Sequence, residues 1–109
     1  MKHYSCTDLA GVPDFRAAEY SDKSSDYCLL IPVINEGARI LTELGRARKA
    51  GIDRLCDIIV CDGGSTDGSM SNDILPTYGV NTLLVMTGPG KQGAQLRMGL
   101  YFALQRGYK

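Results

Sequence analysis

The stretch CDIIVCDGGSTDGS, residues 56–69, decides the predicted fold. Its apolar run at residues 58–60 is typical of a short strand that is buried on both faces. Asp62 follows where this strand runs out, and Gly63 and Gly64 then permit a tight turn. Because ligands of open α/β sheets bind at the carboxyl ends of the strands, Asp62 is a candidate binding residue.

Strands and helices alternate along the chain on both sides of this stretch. The pattern predicts strands over 27–34, 55–61 and 80–86, and helices over 36–50, 68–75 and 93–105. Asn35 is the expected N-cap of the first helix, and Gly51 its expected end. We expect Pro76 to end the second helix, and four residues to bury the third: Leu96, Leu100, Ala103 and Leu104. The order predicts an α/β fold with right-handed crossovers and a mostly parallel sheet.

The two ends of the chain differ in character from this alternating region. Residues 1–26 are polar and aperiodic, with SDKSSD at 21–26, and we interpret them as an N-terminal extension or linker. Residues 27–109 form the predicted domain part. The last residues, GYK at 107–109, resemble the approach to a fourth strand, so we expect the chain to be truncated.

Composition excludes several classes of function. Twelve basic and twelve acidic residues balance, which removes the electrostatic argument for nucleic acid. No C-x-x-C pair occurs and His3 is the only histidine, so we expect reduced structural thiols at four positions: Cys6, Cys28, Cys56 and Cys61. No apolar run approaches the ~20 residues of a membrane span. We expect a cytoplasmic protein, and leave open a peripheral membrane association through parts outside this chain.

A glycine-rich motif lies between the third strand and the third helix. Gly88, Gly90 and Gly93 satisfy G-x-G-x-x-G in the strand-to-helix context of a dinucleotide-binding fingerprint. The fingerprint normally follows the first strand, however, and its ribose-binding acid would fall at or beyond the chain end. A P-loop is excluded because Gln92 stands where Ser or Thr must reach magnesium. An EF-hand is excluded because Gly64 and Thr66 occupy ligand positions.

Three segments in order resemble the nucleotide-sugar-binding half of glycosyltransferase family 2, the inverting GT-A enzymes that include dolichol-phosphate mannose synthases. IPVINE at 31–36 is similar to the family's I-P-x-Y-N-E, and CDGGSTDGS at 61–69 to its V-D-[DG]-G-S-T-D-G-[ST]. GKQGAQLRMGL at 90–100 is similar to its glycine-and-basic loop. The resemblance covers about residues 27–107 and implies a partial GT-A fold, a Rossmann-like three-layer sandwich.

The resemblance also implies a ligand and a set of site residues. The ligand is a nucleotide diphosphate sugar, with UDP or GDP as the nucleotide. Carboxylates accept hydrogen bonds from ribose hydroxyls and base N–H groups, and cations neutralise the diphosphate. The residues placed at this site by the resemblance are Pro32, Asn35, Glu36, Asp62, Gly63, Lys91 and Arg97.

The chain departs from the family pattern at three points. Ile34 replaces the usual tyrosine, and Gly63 stands where many members have a second aspartate. The Asp-x-Asp motif, which binds Mg²⁺ or Mn²⁺ in the family, does not occur in this sequence. We therefore expect the complete enzyme to use a divalent cation, and this chain alone to bind none and to be catalytically inactive. The general base is expected outside the chain.

Other interpretations remain for the same residues. Asp67 is most simply a helix N-terminal acid, Glu36 could be one as well, and Lys91 and Arg97 could be solvated cations. One alternative function is an NAD-type dinucleotide-binding fragment built on the glycine motif. Another is a non-catalytic module that associates through its open sheet edge.

Overall fold

A five-stranded mixed sheet forms the centre of the computed structural model, which describes residues 2–4, 12–66, 70–87 and 92–108. The strands are β1 Lys2–Tyr4, β2 Phe15–Glu19, β3 Cys28–Val33, β4 Asp57–Asp62 and β5 Val80–Met86. The helices are α1 Ala38–Lys49, α2 Ile52–Leu55 and α3 Gln92–Gln105, with a 3₁₀ helix at Leu75–Tyr78. The strand order is β1-β2-β5-β4-β3.

The α/β class is confirmed, and the three strands predicted from the sequence pair in parallel. β4 lies between β3 and β5, parallel to both, and all six of its residues are buried. Its side chains alternate between two cores. Ile59 and Cys61 pack with α3, whereas Ile58 and Val60 pack with Ile40 and Leu44 of α1 or their neighbours. Helices therefore cover both faces of the sheet.

The strand β2 lies within residues 1–26, where the sequence predicts an extension without strands. It pairs antiparallel with β5, and β1 pairs antiparallel with β2, so the sheet is mixed. Phe15 is fully buried, with its ring edge-on to Tyr101 and Phe102 at centroid distances of 6.2 and 6.4 Å. Local propensity in FRAAE is weak, and the pairing with a strand more than 60 residues away in sequence decides its conformation.

The helix α3 is buried through a different face from the predicted one. Three predicted core positions, Leu96, Leu100 and Leu104, are exposed, and only Ala103 of the four is buried. The buried face instead carries Ala94, Gln95, Met98, Gly99, Phe102 and Ala103. A Cβ on Gly99 would lie 2.6 Å from Cys61 Sγ, so the helix backbone approaches the sheet too closely for a larger residue. Small residues, rather than leucines, select the packed face.

Two other helix boundaries differ from the prediction. Gly37, not Asn35, precedes α1, and it provides no side-chain cap, although Gly51 follows the helix as expected with φ 79°. The predicted helix over 68–75 is wrong where it can be compared. Pro76 lies inside the first turn of the 3₁₀ helix rather than ending a helix, because proline needs no N–H there. Residues 67–69, with Asp67, lie outside the described part of the chain.

A hydrogen-bond network closes the amino end of the sheet. Asp57, at the start of β4, accepts bonds from the Ser24 amide and hydroxyl, from the Ser25 amide, and from the Tyr108 hydroxyl at 2.6 Å. The chain before β3 and the segment after α3 are thereby attached to one buried carboxylate, which is 3 % exposed. The predicted linker at 21–26 thus contacts the sheet directly.

Arg106 adds a second attachment at the same end. Its guanidinium donates to Asn81 Oδ1 at 2.9 Å and Thr82 Oγ1 at 2.8 Å, and lies 3.8 Å from a Glu19 carboxylate oxygen. It also lies over the Phe102 ring. The residues after α3 therefore connect β2 and β5 as well as β4.

We predict that Asp57 makes stability depend on acid pH. Burial would raise the pKa of Asp57, but the hydrogen bonds from Ser24, Tyr108 and Ser25 outweigh it, and the pKa lies below its ordinary 3.8. The contribution is thus complete above the unfolded pKa and is lost as the pH falls through the folded pKa. Asp57→Asn should reduce the free energy of unfolding at neutral pH by about 1.5–3 kcal/mol, because its amide cannot accept all these bonds.

Urea denaturation at neutral and acid pH measures this effect. Asp73→Asn, at an exposed carboxylate, is the matched control and should retain the wild-type profile. An Asp57→Asn profile with the wild-type loss of stability in acid would contradict the prediction.

Candidate functional site

The candidate site lies at the carboxyl ends of β3 and β4, where the predicted residue Asp62 closes a turn. Asp62 Oδ1 accepts bonds from the Gly64 amide at 3.3 Å, the Ser65 amide at 3.0 Å and the Ser65 hydroxyl at 2.6 Å. The residue is only 2 % exposed. The carboxylate therefore organises the turn and does not project into solvent, which differs from the ligand-facing role expected of it.

Asn35 joins the loop after β3 to the turn after β4. Its backbone N–H donates to Ser65 Oγ at 2.9 Å, and its side-chain Oδ1 accepts from the Thr66 backbone N–H at 2.7 Å. The residue has a positive φ of 44°, the only such value at a non-glycine residue in the described chain. Left-handed backbone at a non-glycine residue costs free energy and is concentrated at functional sites. The two loops are thus held together by a strained residue.

Gln95, on the first turns of α3, joins the ends of the two strands from the other face. Its Nε2 donates to the Val33 carbonyl at 2.8 Å and to the Cys61 carbonyl at 3.0 Å. The residue is 4 % exposed. A Cβ on Gly63 would lie 2.9 Å from Gln95 Cδ, so glycine leaves the space that the glutamine occupies. A side chain at position 63 would therefore displace Gln95.

Pro32 and Asp62 do not face a common space. Pro32 pairs in register with Cys61 and Asp62 pairs with Val33. Because side chains alternate along a strand, Pro32 projects toward the α3 face and Asp62 toward the α1 face. Glu36 lies beyond the strand, is partly exposed, and its carboxylate has no hydrogen bond or ion pair within the described residues.

The expected diphosphate-binding residues are only partly described. Lys91 lies outside the described residues, as do Gly88 and Gly90 of the glycine motif. Arg97 is exposed on α3, and its Nη1 lies 3.3 Å from the position of a Cβ on Gly93. The arginine thus extends along the helix toward its first turn. The positions of Lys91 and of the dinucleotide fingerprint remain predictions.

A metal site does not fit the described side chains. No three of their His, Cys, Asp and Glu residues come close enough together to hold an ion. The sequence has no Asp-x-Asp motif either, so no step is assigned to a metal.

The cysteines Cys28, Cys56 and Cys61 are free thiols. Burial, together with the charge interaction with Cys28, raises the pKa of Cys61 to about 12. Cys61 is therefore a packing residue.

A polar cavity of about 230 Å³ lies at the opposite, amino end of the sheet. Tyr20, Asp53, Asp57 and Asn81 are among its lining residues. The Oδ1 atom of Asp53 is buried and has no hydrogen-bond partner among the described residues. That atom is shielded from water, so the cavity does not expose it to a ligand.

No helix in the described ranges has the length and apolar character needed to cross a bilayer.

Gln95 is the residue of this site that the sequence reasoning missed. The sequence did contain an indication of its burial, because Gln95 shares one side of the third helix with the apolar residues Ala94, Met98 and Phe102. The leucines at 96, 100 and 104 favoured a different face of the helix, so Gln95 was not predicted to be buried.

Comparisons of the chain with protein-family models, curated proteins and solved structures give no match.

We predict that Gly63 and Gln95 are energetically coupled. Gly63→Ala should lower the free energy of unfolding by about 1–3 kcal/mol, because the new methyl displaces the glutamine from both carbonyls. In a Gln95→Ala background the same change should cost less, since the clash is gone and φ at Gly63 is not positive.

A double-mutant cycle from urea denaturation measures the coupling. Gly45→Ala is the control, because a Cβ there lies 3.6 Å from Tyr78, an ordinary contact. Equal costs of Gly63→Ala in the two backgrounds would rule out the coupling.

Proposed function

We propose that this chain binds the nucleotide part of a nucleotide diphosphate sugar, as the N-terminal part of a family 2-like glycosyltransferase. The proposal rests on the hydrogen bonds that join the loop after β3 to the turn after β4, at the carboxyl ends of adjacent parallel strands. Asn35 is held there in a left-handed conformation by Ser65 and Thr66. Ligands of α/β sheets bind at these strand ends, and a preorganised loop pair loses little entropy on binding.

Glu36 is the proposed contact to the ligand. It follows the strained Asn35 directly, is partly exposed, and its carboxylate has no partner in the described chain. A free carboxylate at this place can accept hydrogen bonds from ribose hydroxyls or from base N–H groups. Asp62 contributes by shaping the turn whose residues Ser65 and Thr66 bond to Asn35, and Pro32 contributes by stiffening the end of β3.

The chemistry of transfer belongs to the same proposal. The complete enzyme would move a sugar from the nucleotide to an acceptor hydroxyl with inversion, and Lys91 and Arg97 would neutralise the diphosphate. The resemblance of residues 27–107 to family 2 supports this activity. No residue of the chain is assigned as the general base, so we propose binding without turnover.

Calorimetric titration of the full chain with UDP, GDP and NAD tests the proposal. We expect one of the two diphosphates to bind and NAD to give no heat of binding. Glu36→Gln should weaken the affinity by roughly tenfold or more, because a hydrogen bond to a charged group contributes about 1.5–3 kcal/mol.

Glu43→Gln is the matched control, since Glu43 is an exposed glutamate on α1 that pairs with Arg46 at 3.4 Å. It should leave the affinity unchanged. Binding of NAD in preference to both diphosphates would favour the dinucleotide alternative. Binding that Glu36→Gln does not weaken would remove the site from this loop.

A further inference from the structure

Seven large apolar side chains are exposed in the part of the chain that the structure describes. Three of them lie in or beside β3, three lie on α3, and one lies on α2. The large apolar residues that are exposed in the described chain are Tyr27, Leu29, Ile34, Leu55, Leu96, Leu100 and Leu104. Exposed apolar side chains that lie next to one another mark an interaction site in a soluble protein.

The strand β3 ends the sheet and leaves one edge unpaired within the described chain. The carbonyls of Tyr27 and Val33 accept bonds from the Asp57 and Gly63 amides, so odd-numbered residues of β3 point their backbone toward β4. Even-numbered residues, Cys28, Leu30 and Pro32, therefore point theirs outward. Pro32 lacks an N–H, and its outward position explains how the ladder to β4 tolerates it.

One flank of α3 lies over this open edge. Tyr101 and Phe102 contact Phe15 in β2, so the flank of α3 that carries them faces β2 and points away from the β3 edge. Gly99 lies against Leu30 of β3. With 100° between successive helical residues, Leu96 and Leu100 lie on the β3 side of the helix, whereas Leu104 points outward. We define the edge surface as the open edge of β3 with Leu29, Leu96 and Leu100.

We propose that the edge surface binds a second copy of this chain, with the two β3 strands paired antiparallel around a two-fold axis. The stretch YCLLIPVI at 27–34 carries no charge, so its pairing with itself places no like charges opposite each other. The net charge of the chain is zero, so no long-range repulsion separates two copies. The proposal does not depend on the proposed nucleotide binding.

A dimer at this edge would bury apolar side chains that are exposed in the single chain. A stable interface buries about 800 Å² per partner. Exposed leucines lie on both faces of the β3 edge, with Leu29 41 % exposed and Leu96 and Leu100 38 and 55 % exposed, and they supply apolar area, while the outward backbone groups of β3 supply hydrogen bonds. A two-fold pair covers the β3 edges of both copies at once, so this contact closes at two copies.

The outward backbone groups select one register. Cys28 and Leu30 each present an N–H and a carbonyl, so the fully paired register places Cys28 opposite Leu30 of the second copy and the reverse. A register centred on Leu30 would place Cys28 opposite Pro32, which has no N–H to donate. The two-fold axis then passes Leu29, and the Leu29 Cα atoms of the two copies lie about 4.5 Å apart in a non-hydrogen-bonded pair.

A disulfide across the axis tests this register, because a Cα separation near 4.5 Å is within disulfide range. Leu29→Cys is incubated with oxidised glutathione, which takes up the two electrons that the two thiols lose, while two protons go to solvent. We expect most of the chain to migrate as a covalent dimer on a non-reducing gel. Leu55→Cys is the control, since Leu55 is more exposed at 72 % and lies outside the edge surface.

Sedimentation velocity of the unmodified chain gives the assembly state. We expect a dimer that Leu96→Lys converts to monomer and that Leu104→Lys, on the outward side of α3, leaves intact. A monomer of the unmodified chain at all concentrations would overturn the proposal, as would polymers of indefinite size. Equal cross-linking of Leu29→Cys and Leu55→Cys, or equal dissociation by the two lysine variants, would overturn it as well.

Discussion

The side-chain amide of Gln95 fixes the arrangement on which the rest of the structure depends. With two hydrogen bonds it attaches the start of α3 to the carbonyls at the ends of β3 and β4. Gln95 is buried, so its amide would be an unsatisfied donor without these two bonds, and the Val33 carbonyl accepts the Gly63 amide as well. Gly63 makes room for the amide and Gly99 lets the helix descend onto Cys61. The packing of α3, and with it the alignment of the two strand ends, follows from this contact.

The two ends of the sheet have different tasks in this arrangement. At the amino end, Asp57 accepts hydrogen bonds from Ser24, Ser25 and Tyr108, and this network attaches distant segments to the sheet. At the carboxyl end, Asp62 and Asn35 organise short loops instead, and one of them holds a strained backbone. The stabilising carboxylate and the candidate site are therefore separated by the length of β4.

Much of the core could be predicted from the sequence, because strongly apolar segments decide their own burial. The run at 58–60 is continuous and β-branched, and it forms a buried strand as predicted. β2 could not be predicted, since FRAAE gains its conformation only by pairing with β5. The face of α3 was predicted wrongly because burial there depends on how closely Gly99 approaches the sheet, which leucine spacing does not encode.

The site residues divide in the same way. Asp62 was selected for its position at a strand end, Asn35 as a helix N-cap and Glu36 through the family resemblance. Asp62 ends β4, and Asn35 and Glu36 follow the end of β3. Their individual roles depended on hydrogen bonds that a sequence does not show: Asp62 is occupied by its own turn, and Asn35 braces a loop instead of capping a helix.

Hydrogen exchange in Gln95→Met shows whether this amide holds the two strand ends together, because methionine keeps the approximate shape of the side chain and removes both donors. We expect the backbone amides of Gly63 and Ser65 to exchange faster in this variant, while those in the interior of β4 change less. Gln105→Met, at an exposed position on the same helix, should leave all of them unchanged. Unaltered protection of Gly63 and Ser65 in Gln95→Met would contradict the claim that this amide holds the strand ends together.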